Sequence, residues 1–143
     1  MATATAKTLN DYFEDWLGSS PGSEQDMIRQ VEAGLPLKVV DRLIQRGLQR
    51  DEIFLIIINP RTLKHRRSKR EPLSKEESER AVRTVRILAR AQAVLGGQEE
   101  ALRWLRAPKK RFEGRPPMAM LATETGGRMV DEMLVQINEG MFA

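Results

Sequence analysis

LSKEESERAVRTVRILARAQAVLGG, residues 73–97, is the longest uninterrupted helical pattern in the chain. Pro72 closes what precedes it, Ser74 stands where an N-cap belongs, and Glu77 three residues on completes a capping box. Gly96 and Gly97 supply the stop. A helix between those signals is about 30 Å long, on the order of a small domain's diameter, and can hold two functional ends apart. At about 100° per residue, Ala81, Val82, Val85, Leu88, Ala89 and Leu95 fall on one apolar face, with Arg83, Arg86 and Arg90 on the other. Ile87 and Val94, one heptad apart, interrupt the arginine face. They are either ordinary exposed apolar residues or a second contact surface such as a dimer seam.

A chain of 143 residues holds one domain with a modest core or two small ones, and a single helical body with extensions is expected here. There is no cysteine, which excludes disulfides, thiolate zinc sites and a cysteine nucleophile and is compatible with a reducing cytoplasm. With His65 the only histidine, a histidine metal site or a Ser-His triad has almost nothing to be built from. No apolar run approaches the ~20 residues of a membrane span, and the N-terminus lacks a signal-peptide core. The expectation is a soluble cytoplasmic protein with no metal or other cofactor.

The net charge of +4 is unevenly placed. Residues 1–60 carry six Lys or Arg against nine Asp or Glu, residues 61–90 eleven against four, and residues 91–143 seven against seven. The positive charge sits in the middle, as it would if one surface met a polyanion.

Before the long helix, Leu9, Tyr12, Phe13, Trp16 and Leu17 fit one face of a short helix, followed by the flexible run 18–23. Such an arm must bury its face against its own body or against a partner. Met27, Ile28 and Val31 mark the next helix, which Gly34 ends, and Pro36 is placed as the first residue of another whose Val40, Leu43 and Ile44 face inward. Gly47 stops that helix and Leu48 packs in the turn. Residues 53–58 are all apolar, four of them isoleucine, which on propensity alone is a buried strand. A lone strand has no pairing partner in this chain, and Asn59-Pro60 reads as an N-cap with first-turn proline, so 53–58 is expected to be a short buried helix.

Residues 61–70, RTLKHRRSKR, hold six cations and no acid, with Leu63 as the single aliphatic anchor. Two short helices joined by a tight turn, the second basic and capped, are the parts of a helix-turn-helix. A solvated basic surface or a disordered linker would have the same composition. With Leu63 turned inward, Arg61, Lys64 and His65 share a face that could reach base edges, while Arg66, Arg67, Lys69 and Arg70 suit phosphates.

Beyond the long helix, 99–106 is a short helix with Leu102, Trp104 and Leu105, halted by Pro108. A loop spans 109–117, Met118, Leu121 and Ala122 make about one turn, and Gly126-Gly127 separates it from a last helix carrying Val130, Met133, Leu134 and Ile137. Met118, Met120, Met129, Met133 and Met141 gather in this region, where methionines fill core or suit a partner surface.

Laid out in this way, the chain resembles the Xre/MbcA/ParS-type antitoxins of bacterial type II toxin-antitoxin systems. The resemblance is carried by Ala101, Trp104, Leu105 and Pro108, then Gly114, Arg115, Pro117, Leu121, Thr123, Glu124 and Gly126, then Val130 and Leu134, and the closing Gly140, Met141, Phe142 and Ala143. Gly34-Leu35-Pro36, Arg61-Thr62-Leu63 and Leu73-Ser74 with Glu77-Ser78 fit the Xre-like half. Residues 56–59 are more apolar than a typical helix-turn-helix turn, and the aromatic arm lies outside the shared pattern.

The resemblance implies an all-α protein with an arm and linker at 1–23, a helix-turn-helix region at 24–72, a connecting helix at 73–97 and a toxin-binding domain at 98–143. It implies an antitoxin that covers the active-site entrance of a cognate NAD⁺-degrading RES-domain toxin and represses its own operon by binding promoter DNA. Homodimerisation within a toxin-antitoxin hetero-oligomer is the accompanying expectation, with Ile87 and Val94, or else the aromatic arm at Tyr12, Phe13 and Trp16, as the seam. Thr62 joins the six cations and His65 on the DNA side. Toxin contact falls on Trp104, Arg115, Leu121, Glu124, Val130, Leu134, Gly140, Met141, Phe142 and Ala143. The end of the chain either folds Phe142 back onto Leu134 or Trp104, or forms an apolar plug with an acidic end; the resemblance implies the plug.

A stand-alone helix-turn-helix regulator is the alternative, but it leaves residues 104–143 without a purpose. An enzyme finds no support, because the acids are mostly paired with bases at helical spacing, as Glu76 with Arg80 and Glu79 with Arg83, and no nucleophile–base pair is visible.

Overall fold

The computed structural model describes residues 7–140, and among them every regular element is a helix. In chain order these are α1 (Leu9–Leu17), α2 (Glu24–Ala33), α3 (Lys38–Gln45), α4 (Arg50–Ile56), α5 (Pro60–Lys69), α6 (Lys75–Leu95), α7 (Gln98–Arg106), a 3₁₀ turn at Lys110–Phe112, α8 (Pro117–Met120) and α9 (Glu124–Asn138).

The caps read from the sequence set the central helix. The Ser74 hydroxyl accepts from the Glu77 amide at 3.1 Å, the Glu77 carboxylate accepts from the Ser74 amide at 2.7 Å, and Gly96 closes the other end at φ 92°. Eleven of the 21 residues of α6 are buried, and α1, α2, α7 and α9 all pack on it. Its buried polar groups are satisfied: Ser78 accepts from the Leu35 amide, Thr84 donates to the Arg80 carbonyl and Gln92 accepts from Trp16.

The aromatic arm docks on its own body. Trp16 is 0% exposed and its Nε1 donates to Gln92 Oε1 at 2.9 Å, while Arg42 donates from Nε and Nη2 to the Asp15 carbonyl at 2.9 and 2.7 Å. The Arg46 guanidinium lies 5.3 Å from the Trp16 ring centre. Trp16 therefore closes the monomer, and the arm offers no seam through it.

Ile87 is the second correction to the dimer reading. It is 3% exposed, on the strip it shares with Arg83 and Arg90. Arg83 Nη1 donates to the Leu121 carbonyl at 3.2 Å and Arg90 pairs with Asp131 of α9 at 2.5 Å. The second contact surface of α6 exists, but it is the seat of the C-terminal helices of the same chain. Val94 is half-buried.

Some boundaries also move. Pro36 lies ahead of α3, whose N-cap is Leu37. The helix drawn over 53–58 begins at Arg50 and ends at Ile56, and Leu55 is 60% exposed rather than buried. Gly126 and Gly127 do not separate α9 from what precedes it; they form its first turn behind the Thr123 N-cap. At Gly126 a Cβ would collide with the Met120 carbonyl oxygen, and at Gly127 it would meet Arg83 Cδ at 2.7 Å. These glycines let α9 close on α8 and α6. At Gly34, φ is 91° and a Cβ would strike the Leu73 carbonyl, so the chain there runs flush against the start of α6, with the Leu73 amide donating to the Leu35 carbonyl at 2.9 Å.

Candidate nucleic-acid and partner-binding surfaces

α4, the turn 57–59 and α5 make the helix-turn-helix geometry. The Gln49–Glu52 capping box starts α4, and the backbone leaves it with Ile57, Ile58 and Ile56 all buried. Arg80 of α6 donates from Nε to the Ile57 carbonyl at 2.9 Å. The apolar turn is thus held against the central helix, which accounts for its departure from a more polar turn sequence. Asn59 Oδ1 then accepts from the Thr62 amide at 2.8 Å and Pro60 opens α5.

Only Leu63 is buried on α5; Thr62 and Arg66 are half-buried, and Arg61, Lys64, His65, Arg67, Lys69 and Arg70 are exposed. Arg61 and His65 lie opposite Leu63 and Lys64 is exposed at the side between them and Arg67, and among the described residues none of the three has a side-chain hydrogen bond or ion pair. Arg66 and Arg67, by contrast, are engaged within the chain. Arg66 Nε and Nη2 reach Glu77 at 3.3 and 3.4 Å and Nη1 reaches Glu71 at 3.3 Å. Arg67 Nη2 reaches Asp41 at 2.7 Å.

Glu77 does two things at once, capping α6 and holding α5. Burial pushes its carboxyl up, but the Ser74 amide and the Arg66 guanidinium outweigh burial and hold it below the ordinary value of 4.5. The Glu77 hydrogen bond raises Arg66 in turn. A carboxyl depressed in the folded state contributes stability that is fully present above its unfolded value and is lost as pH falls through the folded one. Melting temperatures followed over about pH 3 to 7 should therefore fall on the acid side, and Glu77→Gln should flatten that fall. Glutamine keeps the cap but not the charge for Arg66. An acid limb of the same steepness in Glu77→Gln would remove this assignment.

The C-terminal half is tied to α4 by Arg106 of α7. Its Nε and Nη2 clamp Glu52 at 2.9 and 2.8 Å, and Nη2 also donates to the Gly47 carbonyl at 2.8 Å. Beside it, Lys109 Nζ lies 4.8 Å from the Trp104 ring centre, and burial lowers the lysine's pKa.

Of the residues assigned to toxin contact, Leu121, Val130 and Leu134 are each 0% exposed. They form the core between α8, α9 and α6, so the direct-contact reading is corrected for all three: their apolar spacing reports packing. Trp104 is half-buried, while Arg115, Glu124 and Gly140 are exposed. Met141, Phe142 and Ala143 lie outside the described residues, and with them the plug reading. The loop expected over 109–117 contains a 3₁₀ turn that buries Phe112; a lone Phe among Lys110, Arg111 and Glu113 has no periodicity to signal it. Among the described residues no cluster of His, Asp or Glu could hold a metal ion, and no helix is long and apolar enough to cross a membrane.

Comparison with known proteins finds two families along the chain, whose matched ranges meet within α6. Residues 26–86 match the family described as the antitoxin Xre-like helix-turn-helix domain, and residues 90–140 match the antitoxin Xre/MbcA/ParS C-terminal toxin-binding domain. An Antitoxin Xre of Pseudomonas putida is 43% identical over 104 residues, which is 73% of this chain and 63% of that protein. The chain thus spans under two thirds of that relative's length. Antitoxin Xre of Yersinia enterocolitica is 29% identical over 99% of this chain and 96% of its own length, and that of Photorhabdus laumondii 27% over 87% and 85%.

Proposed function

The chain belongs to the Xre/MbcA/ParS-type antitoxins, and from that premise we propose that it neutralises a cognate toxin with its C-terminal half and binds the promoter of its own operon with α5, in the cytoplasm. The observation that carries this reading is the union of two surfaces on one central helix. α5, leading into α6, offers Arg61, Lys64 and His65 free of carboxylates; residues 90–140, whose α7 and α9 pack along the same helix, match a toxin-binding domain. The toxin is of the NAD⁺-degrading RES type, and its active-site entrance is covered by the surface around Trp104, Arg115, Glu124 and Gly140 together with residues 141–143. Two copies occupy two half-sites of the promoter, through a seam that does not use Ile87.

Co-expression with the adjacent toxin reading frame tests the reading. The expected result is co-purification of the two chains, cell survival and a preserved NAD⁺ level. Deleting residues 140–143 is expected to leave the fold intact and to reduce protection sharply. Continued NAD⁺ loss beside a folded, normally expressed full-length chain overturns neutralisation, whereas full protection by the truncated chain moves the contact back onto the Trp104, Arg115 and Glu124 surface.

A further inference from the structure

Arg66 and Arg67 are adjacent and chemically identical, yet the fold puts them to different uses. Arg66 is held by Glu77, a buried carboxylate that also caps α6, and its side chain is 23% exposed. Arg67 is held by Asp41 of α3 through two parallel contacts, Nη2 to Oδ1 at 2.7 Å and Nη1 to Oδ2 at 3.4 Å, with side chains 44% and 50% exposed. An exposed pair of this kind contributes little to stability, so its presence is not explained by a need to hold the fold. It lies on the flank of α5, beside the outward face of Arg61, Lys64 and His65. A guanidinium that binds one planar anion through a fork binds a phosphate with the same fork.

Resting on the reading of α5 as the DNA-binding helix, we infer that Asp41 sets the affinity for DNA by competing with backbone phosphate for Arg67. Arg67 has two alternative anions. When the carboxylate holds it, α5 makes one phosphate contact fewer; when phosphate takes it, Asp41 is left unpaired next to a polyanion. Either way the carboxylate on α3 weakens binding. Arg66 stays with Glu77 in both states, because its partner is buried and committed to the Ser74 cap.

The test is a salt titration of duplex binding by fluorescence anisotropy, using the full chain with the duplex upstream of its own reading frame and with a random-sequence duplex. Four proteins are compared: wild type, Asp41→Asn, Arg67→Ala and the double variant. Asp41→Asn is expected to bind both duplexes several-fold more tightly, with a salt slope steeper by about 0.9, one additional phosphate contact, and an unchanged melting temperature. In the Arg67→Ala background the same substitution should give much less. An Asp41→Asn protein that binds like wild type overturns the inference, and so does an equal gain in both backgrounds, which would make Asp41 a bystander charge. A folded wild-type chain that binds neither duplex overturns the DNA-binding reading itself, and this inference with it.

Discussion

Trp16→Ala is expected to destabilise the protein by about 3–5 kcal/mol, the range for emptying a core site of its largest side chain. The residue is 0% exposed and fills the junction between α1 and α6. Its removal leaves a cavity and strands Gln92 Oε1, whose partner is Trp16 Nε1 at 2.9 Å; an orphaned buried acceptor costs about 1–3 kcal/mol in its own right. Arg46 loses the ring it lies over. Trp16→Phe should recover most of the packing but not the hydrogen bond, and so should fall between the two. Denaturant unfolding of the three proteins checks the order, and a Trp16→Ala midpoint equal to wild type would mean that the arm is not part of the cooperative unit. The expectation bears on the limits of the domain, since residues 9–17 precede the matched range that begins at 26 and yet supply one of its largest buried side chains.

Local signals were legible and long-range ones were not. The capping box at Ser74 and Glu77, the Asn59-Pro60 start of α5 and the stops at Gly34 and Gly96 each depend on residues within one turn, and each stands in the structure. Ile87 shows where that reasoning fails. Periodicity placed it correctly on the arginine face, but whether that face meets solvent, another subunit or α9 is decided by Arg83 and Arg90 finding partners 38 and 41 residues away. Gly126 and Gly127 misled for a related reason. A glycine pair reads as a break until the chain crossing beside it is known, and here the Met120 carbonyl and Arg83 require the missing side chains. The same limit applies to the basic segment: composition counts Arg66 and Arg67 with the free cations, and only the structure shows them held by Asp41 of α3, Glu77 of α6 and Glu71 of the connection between α5 and α6.

That division of the cations sharpens what substitution in α5 should do. Arg61 and Lys64 are exposed in the first half of the helix, the half that meets base edges when such a helix enters the major groove. Each well-made base contact gives about 1–3 kcal/mol of discrimination. The Arg61→Ala/Lys64→Ala protein is therefore expected to lose preference for its promoter duplex over a random duplex by on the order of 100-fold, as two such contacts disappear. Lys69 sits in the last turn, away from the N-terminal half that meets base edges, so Lys69→Ala should weaken both duplexes alike and lower the salt slope by about 0.9. Neither change touches a buried group or an ion pair, so both proteins should melt with wild type. Anisotropy on the two duplexes at several salt concentrations separates the roles. If the double variant keeps its promoter preference while folded, base reading belongs to another part of the chain, and α5 is reduced to an electrostatic anchor.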